Sequence, residues 1–135
     1  MTLVLMNCST DEEIRLEDRN NSLPAIRYSI AAIAGKPKEI SKDQRQYTSN
    51  YFSRKSEKGF NPEKSKERSY AVFTIRGDRR PYDIEIMVFT QVKTPAGYET
   101  VGPDEVTAQR VKKDLEESLN KSQDNRNMID DFKPF

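Results

Sequence analysis

The chain has no histidine, no tryptophan, a single cysteine (Cys8) and only five glycines in 135 residues. Without an imidazole, no side chain of ordinary pKa near neutrality is available as a general base, and histidine-based metal sites are excluded. One cysteine rules out an internal disulfide and a cysteine-rich zinc site. No phosphate-binding glycine loop, nucleophile elbow or metal signature occurs, and no cofactor is expected. No run approaches the roughly 18 apolar residues of a membrane span, so attachment to a membrane would need a lipid or a partner. Charged residues make up 33% of the chain and mean hydropathy is -0.90, a polar balance. Apolar alternation in the middle nevertheless argues for a fold rather than disorder. About 95 residues lie between the polar ends, enough for one domain with a modest core.

Charge is uneven although its total is only +1. Residues 36–80 hold 13 Lys/Arg against 6 Asp/Glu, whereas residues 81–135 hold 7 against 11. A basic middle of this kind is ordinarily a solvated helix and loop whose field the acidic C-terminal part offsets.

Residues 9–23, with Ile14 and Leu16 as the only apolar points of Asp11 to Ser22, read as a polar tether. In Ala25 to Ala34, Ile26, Tyr28, Ile30 and Ala32 recur with a period of two, which predicts a strand. Ser41 and Gln44 have the spacing of a helix-starting capping box, predicting a helix over Lys42 to Lys58 with Tyr47 and Tyr51 one turn apart on its inward face. Ser69 to Arg76 alternates as a strand, Gly77-Asp78 turns the chain, and Tyr82, Ile84, Ile86 and Val88 mark one face of the returning strand. Thr94-Pro95-Ala96-Gly97 is a turn and Tyr98 to Val101 a third strand. A final helix starts at Gly102-Pro103-Asp104 and carries the apolar stripe Ala108, Val111, Leu115 and Leu119 to about Asn120. The order β-α-β-β-β-α predicts an α+β domain over residues 24–120, an antiparallel sheet with helices packed on it in two layers, followed by a polar tail over 121–135.

Few groups stand out chemically. Asp83 and Glu85, two residues apart on one strand, have the spacing of a paired acid/base or a hard-cation site, but a solvent-facing strand is the commoner meaning. Gly77-Asp78-Arg79-Arg80 reads as a charged hairpin turn. Tyr47, Tyr51, Tyr70 and Tyr82 either form a partner-facing surface of rings with polar tips or close the seam between helix and sheet. Tyr47, Tyr51, Arg54, Lys55, Arg79 and Arg80 are the residues expected to meet a partner.

Leu5-Met6-Asn7-Cys8 ends the apolar run that begins at Leu3 and stands ahead of a charged stretch. It resembles the lipobox of bacterial lipoproteins, in the permissive form found in spirochaetes. The resemblance covers positions 3–8 and implies cleavage before Cys8, acylation of that residue, and an envelope location, with the outer membrane expected and Ser9 not opposing it. Seven residues are too few for a basic segment and an apolar stretch of about 7 to 15, so residues 1–8 are the remnant of a signal and the native start is expected upstream of Met1. From Ser41 the expected order is similar to a double-stranded RNA binding domain. That family's second helix opens with phosphate-contacting lysines, whereas Asp104-Glu105 here would repel a nucleic-acid backbone. From Ala25 the order also resembles cystatin-like folds, but Gln91-Val92-Lys93 lacks their inhibitory hairpin motif. The expectation is a non-enzymatic, lipid-anchored module that binds an unidentified protein at the envelope. The alternative is a soluble cytoplasmic module using the basic segment 42–80 for nucleic acid or an acidic protein, with nucleic acid the less expected.

Overall fold

The computed structural model describes residues 14–55 and 58–132, with side chains described as far as Lys121. Cys8 and the lipobox resemblance lie outside these residues. In chain order the elements are β1 (Ile14–Arg19), α1 (Leu23–Ala34), β2 (Pro37–Ile40), β3 (Gln46–Ser49), β4 (Glu67–Arg76), β5 (Tyr82–Thr94), β6 (Gly97–Pro103) and α2 (Glu105–Phe132). The strands form one antiparallel sheet in the order β1-β5-β4-β3-β2. β5 is long enough to pair twice along its outer edge, with β1 opposite Tyr82 to Ile86 and with β6 opposite Phe89 to Thr94.

Alternation sorts the strands into two unlike faces. Ala71, Phe73 and Ile75 of β4 lie opposite Val88, Ile86 and Ile84 of β5, and all six are buried. Ile26 and Ile30 of α1 and Ala108, Leu115 and Leu119 of α2 join them in one core, so both helices cover the same face. The intervening positions, Tyr70, Val72, Thr74, Met87 and Phe89 among them, form a second face that no helix of the described residues covers. The α+β two-layer class read from the sequence is the one observed, and its last three strands and final helix stand where the alternation and the apolar stripe put them.

Four local expectations are corrected. Residues 25–34 are helical. Ile26 and Ile30 suit a strand or a helix equally, and Tyr28, at 75% exposed, shows that the period of two is accidental. Ser22 caps the helix by accepting from the Ala25 amide at 3.3 Å, Pro24 sits in its first turn, and Ala31, Ala32 and Ala34 have high helix propensity. Gly35 ends it with φ +77°, a left-handed value suited to glycine.

The helix expected over residues 42–58 is not formed in its described part, residues 42–55. Ser41 and Gln44 belong to a turn in which the Gln44 amide donates to the Ser41 carbonyl at 2.9 Å, the Ser41 hydroxyl donates to Asp43 and the Arg45 amide donates to the same carboxylate. Local bonding of this kind competes with helix initiation. The following Gln-Tyr-Thr-Ser run pairs as β3 with β4, as its aromatic and β-branched residues favour.

The tether expected at 9–23 is folded from Ile14 onward. Leu16 is buried opposite Ile84, and the chain bends at Asp18, φ +55°, where the register shifts. Beyond that bend the Arg19 guanidinium donates to the Asn120 side chain at 2.7 Å and the Asn21 amide to the Leu119 carbonyl at 3.2 Å, tying the entry segment to α2. The tail expected from residue 121 continues as α2 to Phe132.

Candidate functional site

Six residues were expected to meet a partner, and the fold scatters them. Tyr47 lies in the core, 7% exposed, with its ring edge-on to Phe73 at 5.9 Å and its hydroxyl donating to the Gly35 carbonyl. Burial raises its pKa above the ordinary phenol value. It sits opposite Phe73 on the covered face, so it cannot present a surface. Arg54 is held by two carboxylates, Glu67 at 2.9 Å and Asp104 at 3.0 Å. Lys55 is exposed beside it. Arg79 and Arg80 are exposed in the β4–β5 turn, next to the Arg76–Asp83 pair. Tyr51 contacts Tyr70, six residues back along β4 and therefore about 20 Å from that turn.

Two carboxylate groups of chemical interest are both ion-paired to guanidinium. At the N-terminus of α2, Asp104 is the cap: it accepts from the Thr107 amide at 3.1 Å and the Thr107 hydroxyl at 2.6 Å, and from Arg54. Burial works to raise its pKa, but the Thr107 bonds and Arg54 outweigh it and hold the carboxyl below its ordinary value. Arg54, Glu67 and Asp104 line an open cleft of about 360 Å³ with Gly102 and Pro103. The trio clamps the Arg54 loop, β4 and α2 together, one guanidinium serving two carboxylates. A smaller apolar hollow of about 170 Å³ lies between α1 and the β2–β3 turn, lined by Ile30, Pro37, Ile40 and Tyr47, below the size usual for small-molecule sites.

The second carboxylate pair, Asp83 and Glu85, points to the uncovered face. Glu85 accepts from Arg15 at 2.7 Å and from Arg76 at 2.5 Å, and Arg15 approaches Asp83 at 3.8 Å. The two arginines lie over Glu85 and leave it 7% exposed on a face that no helix of the described residues covers. The Asp18 amide also donates to Asp83 at 3.0 Å. The pair that could have served acid/base work is therefore an ionic fastening of β1 and β4 to β5. Among the described residues no group of His, Cys, Asp and Glu side chains is arranged to hold a metal ion, and no helix is long and apolar enough to cross a membrane.

The other end of the uncovered face is built differently. Tyr70 lies against Phe89, ring centres 5.4 Å apart, and Tyr51 meets Tyr70 edge-on at 6.0 Å. The Arg68 guanidinium is sandwiched, 3.8 Å from the Tyr51 ring centre and 3.6 Å from that of Tyr98, a cation–π arrangement on both sides. Its Nε donates to Gln91 at 2.8 Å and one terminal nitrogen to the Pro62 carbonyl at 3.1 Å. Lys38 stands 4.4 Å over the Tyr51 ring and donates to its hydroxyl at 2.9 Å. Exposed Lys93 is on the same face, opposite Tyr98. Every ion pair of the described residues involves Arg15, Arg54 or Arg76. Arg68, Lys38 and Lys93 have no carboxylate partner among them. Of the six residues expected to meet a partner, only Tyr51 belongs to this cluster; Tyr70, one of the four tyrosines weighed for a partner-facing surface, joins it. Arg68 and Tyr98 were missed because an arginine between tyrosines distant in sequence leaves no local pattern. The one available signal was the alternation of β4, which puts Arg68 and Tyr70 on the same side.

No protein-family model matches the chain, and no curated protein matches it.

Proposed function

We propose that this protein is a non-enzymatic binding module carried at the bacterial envelope on a lipidated Cys8. The observation that carries the binding half is the contrast within one sheet face: at one end Asp83 and Glu85 are ion-paired to Arg15 and Arg76, while at the other the Tyr51–Arg68–Tyr98 cluster leaves its cation without an anionic partner among the described residues. A fixed cation among aromatic rings, with exposed Met87 farther along the same face, is the composition of a contact surface. Ion pairing of Asp83, Glu85, Glu67 and Asp104 to guanidinium groups argues against acid/base work at either carboxylate pair.

The anchor half rests on Leu5-Met6-Asn7-Cys8 and on the short distance to the fold. Six residue steps separate Cys8 from Ile14, where β1 begins, a reach of at most about 20 Å. An anchor at Cys8 would hold the domain close to the membrane and raise its local concentration there, so weak contacts become effective. The several acyl chains of a lipoprotein hold firmly where a single chain would not.

The test is intact mass of the native protein after partition between detergent and water. A detergent-phase species beginning at Cys8 with added acyl mass is the expected result. A water-phase species with unmodified Cys8 would overturn the anchor and leave the binding half to be judged separately.

A further inference from the structure

We infer that the Lys38–Arg68–Lys93 end of the uncovered face takes an acidic polypeptide segment in extended conformation, with carboxylates at alternate positions. This deepens the binding half of the proposed function and is independent of the anchor.

Arg68 is the receptor group. Two rings fix the plane of its guanidinium, and Gln91 and the Pro62 carbonyl hold Nε and one terminal nitrogen. The remaining terminal nitrogen makes no hydrogen bond among the described residues. A guanidinium already ordered loses little freedom on binding, and a carboxylate is its geometric complement. Lys93 supplies the second charge. Arg68 pairs with Gln91 in the β4–β5 register, two residues from Lys93, so the two positions differ by about 7 Å along the strand. Alternate residues of an extended peptide are separated by the same distance and point the same way. Lys38 flanks the cluster at Tyr51, which extends the positive strip.

The charge is complementary to an anion, and the ring geometry selects among anions. Single-stranded nucleic acid binds by stacking bases on free aromatic faces. Here Arg68 occupies faces of both Tyr51 and Tyr98, and Lys38 also lies over Tyr51. Even with exposed Lys66, whose carbonyl accepts from the Lys93 amide, the cations are also fewer than the six to ten phosphate contacts, roughly, of a nucleic-acid interface. Carboxylates need only the edge of the guanidinium, and the rings cover its two faces.

The experiment is fluorescence anisotropy with the full chain and three labelled probes: an octapeptide alternating glutamate and threonine, its glutamine counterpart, and an eight-residue oligothymidylate. The glutamate peptide is expected to bind at least about tenfold more tightly than the glutamine peptide. R68Q should lose about tenfold, as befits one charge-assisted bidentate contact. R68K, which keeps the charge but loses the fork, should lose several-fold, and R76Q at the other end of the face should bind as the parent does. Far-UV circular dichroism checks the fold of R68Q, and K93Q supplies a second variant outside the ring stack. Equal binding of the glutamate and glutamine peptides, no binding of the glutamate peptide up to millimolar concentration, or indifference to both R68Q and K93Q would overturn the inference. Tighter binding of the oligothymidylate would overturn it in favour of nucleic acid. None of these outcomes bears on the mass of Cys8, so failure here and failure of the anchor are separable.

Discussion

At the β1 end of the uncovered face, Arg15 and Arg76 converge on Glu85. At the β6 end, Arg68 lies between Tyr51 and Tyr98 with no carboxylate partner among the described residues. Both ends fix arginines against the same two central strands, but by different means. Ion pairing fixes a guanidinium and cancels its charge. Ring stacking fixes it and leaves the charge outward, available to another molecule. The first end holds the sheet together, and the second is kept in place without being used up. The distinction predicts that substitutions at the two ends should separate stability from binding.

The largest effect is expected at the neutralised end. Glu85→Ala leaves two arginines facing each other with their shared carboxylate removed and opens a hole where a buried side chain stood. A fully buried pair broken this way costs about 3–5 kcal/mol. Arg76 is 59% exposed in its side chain, so water recovers part of that, and a loss of about 2 kcal/mol is expected. Urea unfolding measures it as a lower midpoint at unchanged slope. Peptide binding at the other end should remain.

A second fastening, on the covered side, is expected to show its charge through pH. The Asp104 carboxyl has a folded pKa below its ordinary value of 3.8. The unfolded chain therefore takes up this proton first as the pH falls, and acid favours unfolding. Its contribution is complete well above 3.8 and disappears as the pH drops through the depressed folded value. Asp104→Asn keeps a capping side chain but removes the charge, so its stability should run flatter than the parent's between about pH 5 and pH 3. Asp104→Ala also removes the cap and should cost about 1 kcal/mol more at neutral pH. Thermal melts of the three proteins across this range check both statements.

The β4–β5–β6 meander and α2 were legible because their signals are local: strict alternation in Ser69 to Val88, a proline-glycine turn at residues 94–97, and a stripe at Ala108, Val111, Leu115 and Leu119. The N-terminal half was misread where two periods fit the same residues. Ile26 and Ile30, four apart, satisfy both a strand and a helix, and only their packing with α2 and the sheet settles which. Ser41 and Gln44 have capping-box spacing, but the side chain between them, Asp43, bonds to Ser41 and Arg45 and makes a turn instead. Hydrogen bonding and Arg45 hold the Asp43 carboxyl below its ordinary range, Ser41 contributing most. β1 went unseen since Ile14 and Leu16 are only two apolar points, and their burial depends on pairing with residues some seventy positions away. The binding cluster was hidden for the same reason. Tyr51, Arg68 and Tyr98 come from three separate parts of the chain and meet only once the sheet forms.

Smaller effects on stability are expected at the ring-stacked end, and they are what separates the two ends most sharply. Arg68→Ala removes two cation–π contacts from a half-buried surface, about 0.5–1 kcal/mol each at exposed sites. The rings can close partly over the gap, so a total near 1 kcal/mol is expected, well short of Glu85→Ala. Lys93→Gln removes an exposed charge with no ion-pair partner among the described residues, and its stability should stay within about 0.5 kcal/mol of the parent. Its binding should not be silent. If Lys93 meets a carboxylate two positions along from the one on Arg68, K93Q must weaken the glutamate peptide and must also flatten the dependence of binding on salt, since one screened charge pair has been lost. Measuring the peptide's affinity for parent and K93Q at low and high salt decides it. Equal salt slopes would mean that Lys93 lies outside the contact and that Arg68 binds its anion alone.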